Sequence, residues 1–179
     1  MNVPTARLAL RNRQRARRLN LPLARRITAT LLRDLMGLND FDLGLALVGA
    51  AEMARLNRTF LRHAGPTDVL SFDYSDQPGR SHGAGPAGGL DSCASLHGDI
   101  VICVDEAVAQ ARRFRTTWQS ELVRYIIHGV LHLRGLDDRR PARRRKMKRA
   151  EDRLLRRLAG RFDLASLAAA ESRPKPPKP

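Results

Sequence analysis

A chain of 179 residues, 42% of them hydrophobic, is long enough to bury one sizeable core, and its length favours one domain over two. With 33 Lys+Arg against 18 Asp+Glu its formal net charge is +15. That balance favours a polyanionic partner such as RNA, a ribosome or an anionic membrane surface and counts against a small neutral substrate, although an arginine-rich solvated surface would give the same balance.

The first 33 residues contain no acidic residue and many arginines, as organelle transit peptides do; they also lack serine and read on into a strand and a helix. "TARLALR" (5–11) alternates as a strand, and "PLARRITATLLRDLMG" (22–37) has helical spacing with Gly37 as its stop. "DLGLALVG" (42–49) is a second strand and "AAEMARLNRTFL" (50–61) the helix after it. "TDVLSFDY" (67–74) is β-rich, and "GDIVICVD" (98–105) reads as a fourth strand buried on both faces. Between these two strands, residues 76–96 are Gly/Pro/Ser-rich and read as a flexible loop insertion.

Three helical patterns follow, at 105–113, 119–134 and about 141–158. Residues 161–179 read as a tail, disordered from about 171 where "ESRPKPPKP" cannot pack. The expected fold is therefore α+β: a single domain over 1–160 with a roughly four-stranded mixed sheet and five or so helices. Two cysteines, Cys93 and Cys103, sit in no zinc-knuckle or C-x-x-C spacing, which favours a reducing compartment. No apolar stretch approaches bilayer-spanning length and no signal-peptide core is visible, so a soluble, unsecreted protein is expected.

The chemistry concentrates in "ELVRYIIHGVLHLRGLDD" (121–138). Positions i and i+4 of a helix lie one above the other, so His128 and His132 can grip one ion. Gly135 supplies a left-handed turn that ends the helix and lets the chain bring Asp138 back towards them. The spacing H-x3-H-x5-D offers three ligands and leaves a fourth position for water, as catalytic zinc sites do. A metalloprotease carries a glutamate directly after its first histidine, but this chain has Gly129 there, so the peptidase reading loses its base while a large substrate gains room.

"HGVLHLRGLDD" resembles the H-G-x-L-H-L-x-G-x-D-H signature of the YbeY-type endoribonucleases, zinc-dependent rRNA maturation factors of bacteria and organelles. "LNRTFLRHAGPTDVLSF" (56–72) is similar to the family's L-N-x-x-(Y/F)…PTDVLSF segment, "HGDIVICVDEA" (97–107) to its L-G-D-I-x-I segment, and "MKRAEDRLL" (147–155) to its closing M-x-x-x-E helix. The matches run in order over roughly residues 5–160. The resemblance implies a zincin-like metal helix, one zinc per chain on His128, His132 and Asp138, and cleavage of single-stranded RNA in rRNA maturation and ribosome quality control. It further implies an rRNA precursor or ribosomal small subunit as partner, with ribosomal or assembly-factor proteins beside it, in the bacterial cytoplasm or an organelle; neither DNA nor a membrane is expected.

Two positions depart from the family. Its third ligand is usually histidine where this chain has Asp138, and an aspartate oxygen binds zinc at a similar length but weakens it as a Lewis acid. The family commonly has an arginine after the aromatic of the 56–72 segment, where Leu61 stands here and Arg62 follows as the candidate phosphate-binding residue of the active site. Asp137 rivals Asp138 as ligand but is expected to brace the turn, and His63 or His97 could instead complete the site. No general base is evident, so water activated by the metal is the expected nucleophile.

The basic runs "RNRQRARR" (11–18) and "RRPARRRKMKR" (139–149) are expected to build a phosphate-tracking groove, or else to be two solvated faces. Scarce aromatics predict little base stacking and weak sequence preference. Beside the nuclease stand two other classes: a ribosome-associated RNA-binding factor with a structural metal, and a metal hydrolase of another substrate.

Overall fold

The computed structural model describes residues 6–60, 67–75 and 95–169. Its elements follow the sequence closely: β1 (Ala6–Asn12), α1 (Leu21–Thr30), β2 (Phe41–Val48), α2 (Ala50–Phe60), β3 (Val69–Asp73), β4 (Leu96–Cys103), α3 (Val104–Phe114), α4 (Trp118–Leu133) and α5 (Pro141–Ala159). The strands form one sheet in the order β1-β2-β4-β3. β1 and β4 flank β2 in parallel, while β3 runs antiparallel to β4, so the sheet is mixed and the fold α+β as expected.

Strand alternation divides the core in two. Leu8, Phe41, Leu43, Leu45, Leu47, Leu96, Ile100 and Ile102 belong to the main core, together with the buried faces of α1, α4 and α5. On the other face a small cluster of Val48, Met53, Leu70 and Cys103 sits beneath α2. β4 is therefore buried on both faces only near its C-terminal end, since Asp99 is exposed; the expectation of burial along its whole length was too broad.

Local chemistry explains the helix ends. The Asn20 side chain accepts a hydrogen bond from the Leu23 amide at 3.1 Å to start α1, and Asp105 accepts from the Ala50 amide at 2.7 Å to start α2. The first helix does not stay α-helical to Gly37. Its last turn, Leu31–Leu35, is wound as a π-helix that buries Leu31 and Leu32 before Gly37 turns the chain.

The packed unit also runs beyond residue 160, the end expected from sequence. Leu167 is buried in the main core, and a short 3-10 turn over Leu164–Leu167 is tied back by the Asn20 amide donating to the Leu167 carbonyl at 2.9 Å. The periodicity of so short a turn is invisible in sequence, which is why it read as tail. The loop expected over 76–96 falls outside the described residues up to 94, and its last residue, Leu96, opens β4. The disordered stretch expected from about 171 also lies outside them.

Candidate metal centre

α4 starts at Thr117, whose hydroxyl accepts from the Ser120 amide at 3.2 Å, and packs nearly its whole length against the sheet and α5. It can come so close to β4 because Gly129 has no side chain: a Cβ there would stand 2.6 Å from Ile100. The sequence reading gave this glycine to an approaching substrate. The structure corrects that, since Gly129 points into the helix–sheet contact and away from open space.

The helix ends in two nested turns. The Gly135 amide donates to the His132 carbonyl at 2.8 Å and the Leu136 amide to the Leu131 carbonyl at 3.0 Å, with Gly135 at φ +79°. This is the Schellman arrangement, which needs a left-handed residue that only glycine adopts without strain. It has a second effect. It carries the Leu136 carbonyl back to His132, whose Nδ1 lies 2.9 Å from it.

Because a carbonyl can only accept, Nδ1 of His132 must carry the proton and its Nε2 is left with a lone pair. His128 is fixed by a different partner: its Nδ1 is 2.6 Å from Oε1 of Glu151 on α5. The other Glu151 oxygen lies 3.7 Å from Arg124, which is itself bonded to Asp152 at 2.7 Å. The carboxylate is thus oriented from both sides and directs Nε2 of His128 towards His132.

The two Nε2 atoms stand 2.9 Å apart. With both Nδ1 atoms donating, two lone pairs face each other at hydrogen-bond distance, which is repulsive unless a proton or a cation lies between them. Asp138 completes the convergence: one ligand atom from each of His128, His132 and Asp138 lies within 4.8 Å of the others. Two imidazoles and a carboxylate make a donor set suited to zinc.

The histidines respond in opposite senses. Burial pulls the pKa of His128 down, but the hydrogen bond and charge of Glu151, with Asp68 and Asp138 adding, raise it above the usual histidine value. Burial and then the neighbouring His128 lower that of His132.

Asp137 braces the turn as expected, accepting from the Arg139 amide at 3.2 Å and from the Arg143 guanidinium. The Arg143 hydrogen bond is the main cause holding its pKa below the usual carboxylate range. His97 lies in β4 out of phase with Leu96, Ile100 and Ile102, so it belongs to the sheet face away from α4 and takes no part in the convergence. Arg62 and His63 lie outside the described residues.

Sequence reasoning gave no role to Glu151 or to the Leu136 carbonyl. The carboxylate had a faint signal, as the glutamate of "MKRAEDRLL" one helical turn from buried Met147.

The basic run at 11–18 does not join the site. It leaves β1 at the sheet edge opposite β3, and none of its residues lines the cavity beside His128. α4 packs on β3 and β4, and only the 139–149 run reaches the cavity beside His128.

Fold and convergence together define a class: an α+β domain that presents two histidines and a carboxylate at the end of a buried helix. Residues 10–159 match the family model described as Endoribonuclease YbeY, and the chain belongs to the YbeY family. Relatives of that name include one from Anaeromyxobacter sp. (strain Fw109-5), 39% identical over 82% of this chain and 66% of its own length. Another, from Myxococcus xanthus (strain DK1622), is 39% identical over 66% of this chain, and one from Chlorobium luteolum is 35% identical over 68%. The match spans only 37% of the Myxococcus protein and 77% of the Chlorobium one. The solution structure of TM1509 from Thermotoga maritima shares the fold, with a TM-score of 0.58 and 20% identity over 94% of this chain and 99% of that one.

Proposed function

We propose that the protein is a metal-dependent endoribonuclease that cuts single-stranded RNA, with one zinc per chain held by His128, His132 and Asp138. The observation that carries this reading is the pair of Nε2 atoms 2.9 Å apart, each with its Nδ1 already committed to an acceptor. When bound, zinc lowers the pKa of water and offsets charge developing on a phosphate oxygen.

The chain's own residues supply the rest. Glu151 and the Leu136 carbonyl lock both rings in the tautomer that ligates, as partners behind metal ligands do. Three protein ligands leave a coordination position open. Arg62 is assigned to phosphate binding on the resemblance of its segment. The family name, the +15 charge and the cations of α5 support an rRNA precursor or the small ribosomal subunit as substrate, with ribosomal or assembly-factor proteins beside it. Among the described residues no helix is long and apolar enough to cross a membrane. The bacterial cytoplasm is the proposed location.

The test is zinc content and cleavage of a single-stranded oligoribonucleotide measured on one preparation, with His128→Ala as the control for a contaminating nuclease. One zinc per chain and cleavage, both lost in the variant, is the expected result. Equal cleavage by both proteins would overturn the nuclease reading. Metal bound tightly without any cleavage would favour an RNA-binding factor with a structural metal.

A further inference from the structure

Beside the convergent histidines opens a cavity of about 390 Å³ whose walls differ in chemistry. Phe114 lies on one wall, Arg144 and Lys148 come from α5, and His128 and Asp138 line the same space. We propose that this cavity is a subsite for one unpaired nucleotide, its base stacked on Phe114 and its phosphate held by Arg144 and Lys148 next to the metal ligands. The proposal rests on the nuclease reading and names the part of the substrate that the site grips.

Phe114 is the first support. α3 buries Val104, Ala107 and Ala111, and Phe114 continues that stripe at helical spacing, yet it is 62% exposed. The stripe thus runs off the end of the core into the cavity. Arg115, left-handed at φ +55°, ends the helix directly after it, and Thr116 anchors the following turn by donating to Glu121 at 2.6 Å. The ring is therefore held at the rim by a defined cap. Its Arg113 neighbour places a guanidinium 5.5 Å from the ring centroid. The other exposed large hydrophobic among the described residues, Phe60, packs edge-on against Phe72 at 5.1 Å. Phe114 has no such aromatic partner among them.

The second support is the sorting of cations. Arg124 also lines the cavity, but Asp152, Glu121 and Glu151 neutralise it. Arg144 and Lys148 stand one helical turn apart on α5, and neither forms an ion pair among the described residues. Arg144 uses its Nε on the Asp138 carbonyl at 3.1 Å, which ties its position to the ligand loop and leaves its outer nitrogens for a phosphate.

Size sets the ligand class. About 390 Å³ is at the small end of the range for ligand sites, roughly 300–1,000 Å³, and suits one nucleotide with its base unstacked from neighbours. A base inside a duplex cannot offer its face to Phe114, so the subsite selects unpaired RNA. The expectation of little base stacking thus becomes one stacking position.

The experiment uses the full chain loaded with zinc and a short single-stranded oligoribonucleotide carrying one 2-aminopurine, whose fluorescence is quenched on stacking. Phe114→Ala should weaken binding about 5- to 100-fold and abolish the quench, with zinc content unchanged. Phe114→Trp should keep both binding and quench, which separates loss of stacking from loss of fold. Arg144→Gln with Lys148→Gln should weaken binding and shrink the salt slope by about 1.4, two contacts at about 0.7 each. If wild type and Phe114→Ala bind, quench and cleave alike, the subsite is wrong and the nuclease reading stands. If the wild type holds zinc but neither binds nor cleaves RNA, both fall.

Discussion

The two arginine-rich runs have nearly the same composition and opposite structural fates. Residues 11–18 leave a sheet edge and spend much of their polarity on the fold: Arg13 pairs with Glu52 at 2.9 Å, Gln14 is buried, and Arg17 donates to the Ala16 carbonyl at 2.8 Å. Residues 139–149 enter a helix, which separates cations into stripes at i, i+3 and i+4. Arg144 and Lys148 face the cavity with His128, while Lys146, Arg149 and Arg153 line a second hollow of about 280 Å³ with Leu136. Charge density in a sequence therefore predicts a polyanionic partner but not the face that meets it. The backbone geometry beneath the charges decides that.

The comparison breaks most sharply at the loop that leads into the second run. Asp138→Ala should lower zinc affinity by more than about 100-fold, exceeding the loss typical of partners behind the ligands, while Asp137→Ala should leave it nearly unchanged. Asp138→His should restore binding. Zinc stoichiometry after dialysis decides: an Asp138→Ala protein that retains full metal while His128→Ala loses it would show that Asp138 is the wrong third ligand.

Charge neutralisation tests the runs against each other. Arg144, Lys148 and Arg149 changed together to Gln should cost about 10- to 100-fold in RNA affinity and reduce the salt slope by about 2, three contacts at about 0.7 each. The same change at exposed Arg11, Arg15 and Arg18 should move the slope much less. Equal slopes for the two sets would mean that RNA also wraps the far edge of the sheet. Glu151→Gln, which keeps an acceptor but removes the charge behind His128, should lower zinc affinity about tenfold with the melting profile still cooperative. Unchanged affinity would mean the carboxylate only packs.

What could be read in advance was local. His128 and His132 one turn apart, Gly135 three residues on, and Asp138 within reach of a reversed chain are all set by helix and turn geometry, and these side chains do converge. What could not be read crosses between elements. Glu151 meets His128 only because α5 packs on α4, and Gly129 serves Ile100 because β4 lies beneath it. Which basic run reaches the cavity follows from how α5 packs on α4, which the sequence patterns leave open. The exposure of Phe114 follows from where the core ends beside α3, which no local pattern marks.

The smallest expected effects belong to the first run, and they should appear in stability alone. Gln14 is 7% exposed, its Nε2 donates to the Arg17 carbonyl at 2.8 Å, and its Oε1 accepts from the Arg17 amide at 2.9 Å. Gln14→Ala leaves both main-chain groups of Arg17 without these partners in a half-buried turn, a loss of about 1–2 kcal/mol. Arg13→Ala removes a pair whose arginine is 58% exposed, where solvent screening holds the contribution to less than about 1 kcal/mol. Thermal melts should rank the two in that order, with RNA affinity and zinc content at wild-type values for Gln14→Ala. A drop in RNA affinity on Gln14→Ala, with zinc retained, would show that the turn it holds presents its arginines to RNA, and that the first run is a binding element after all.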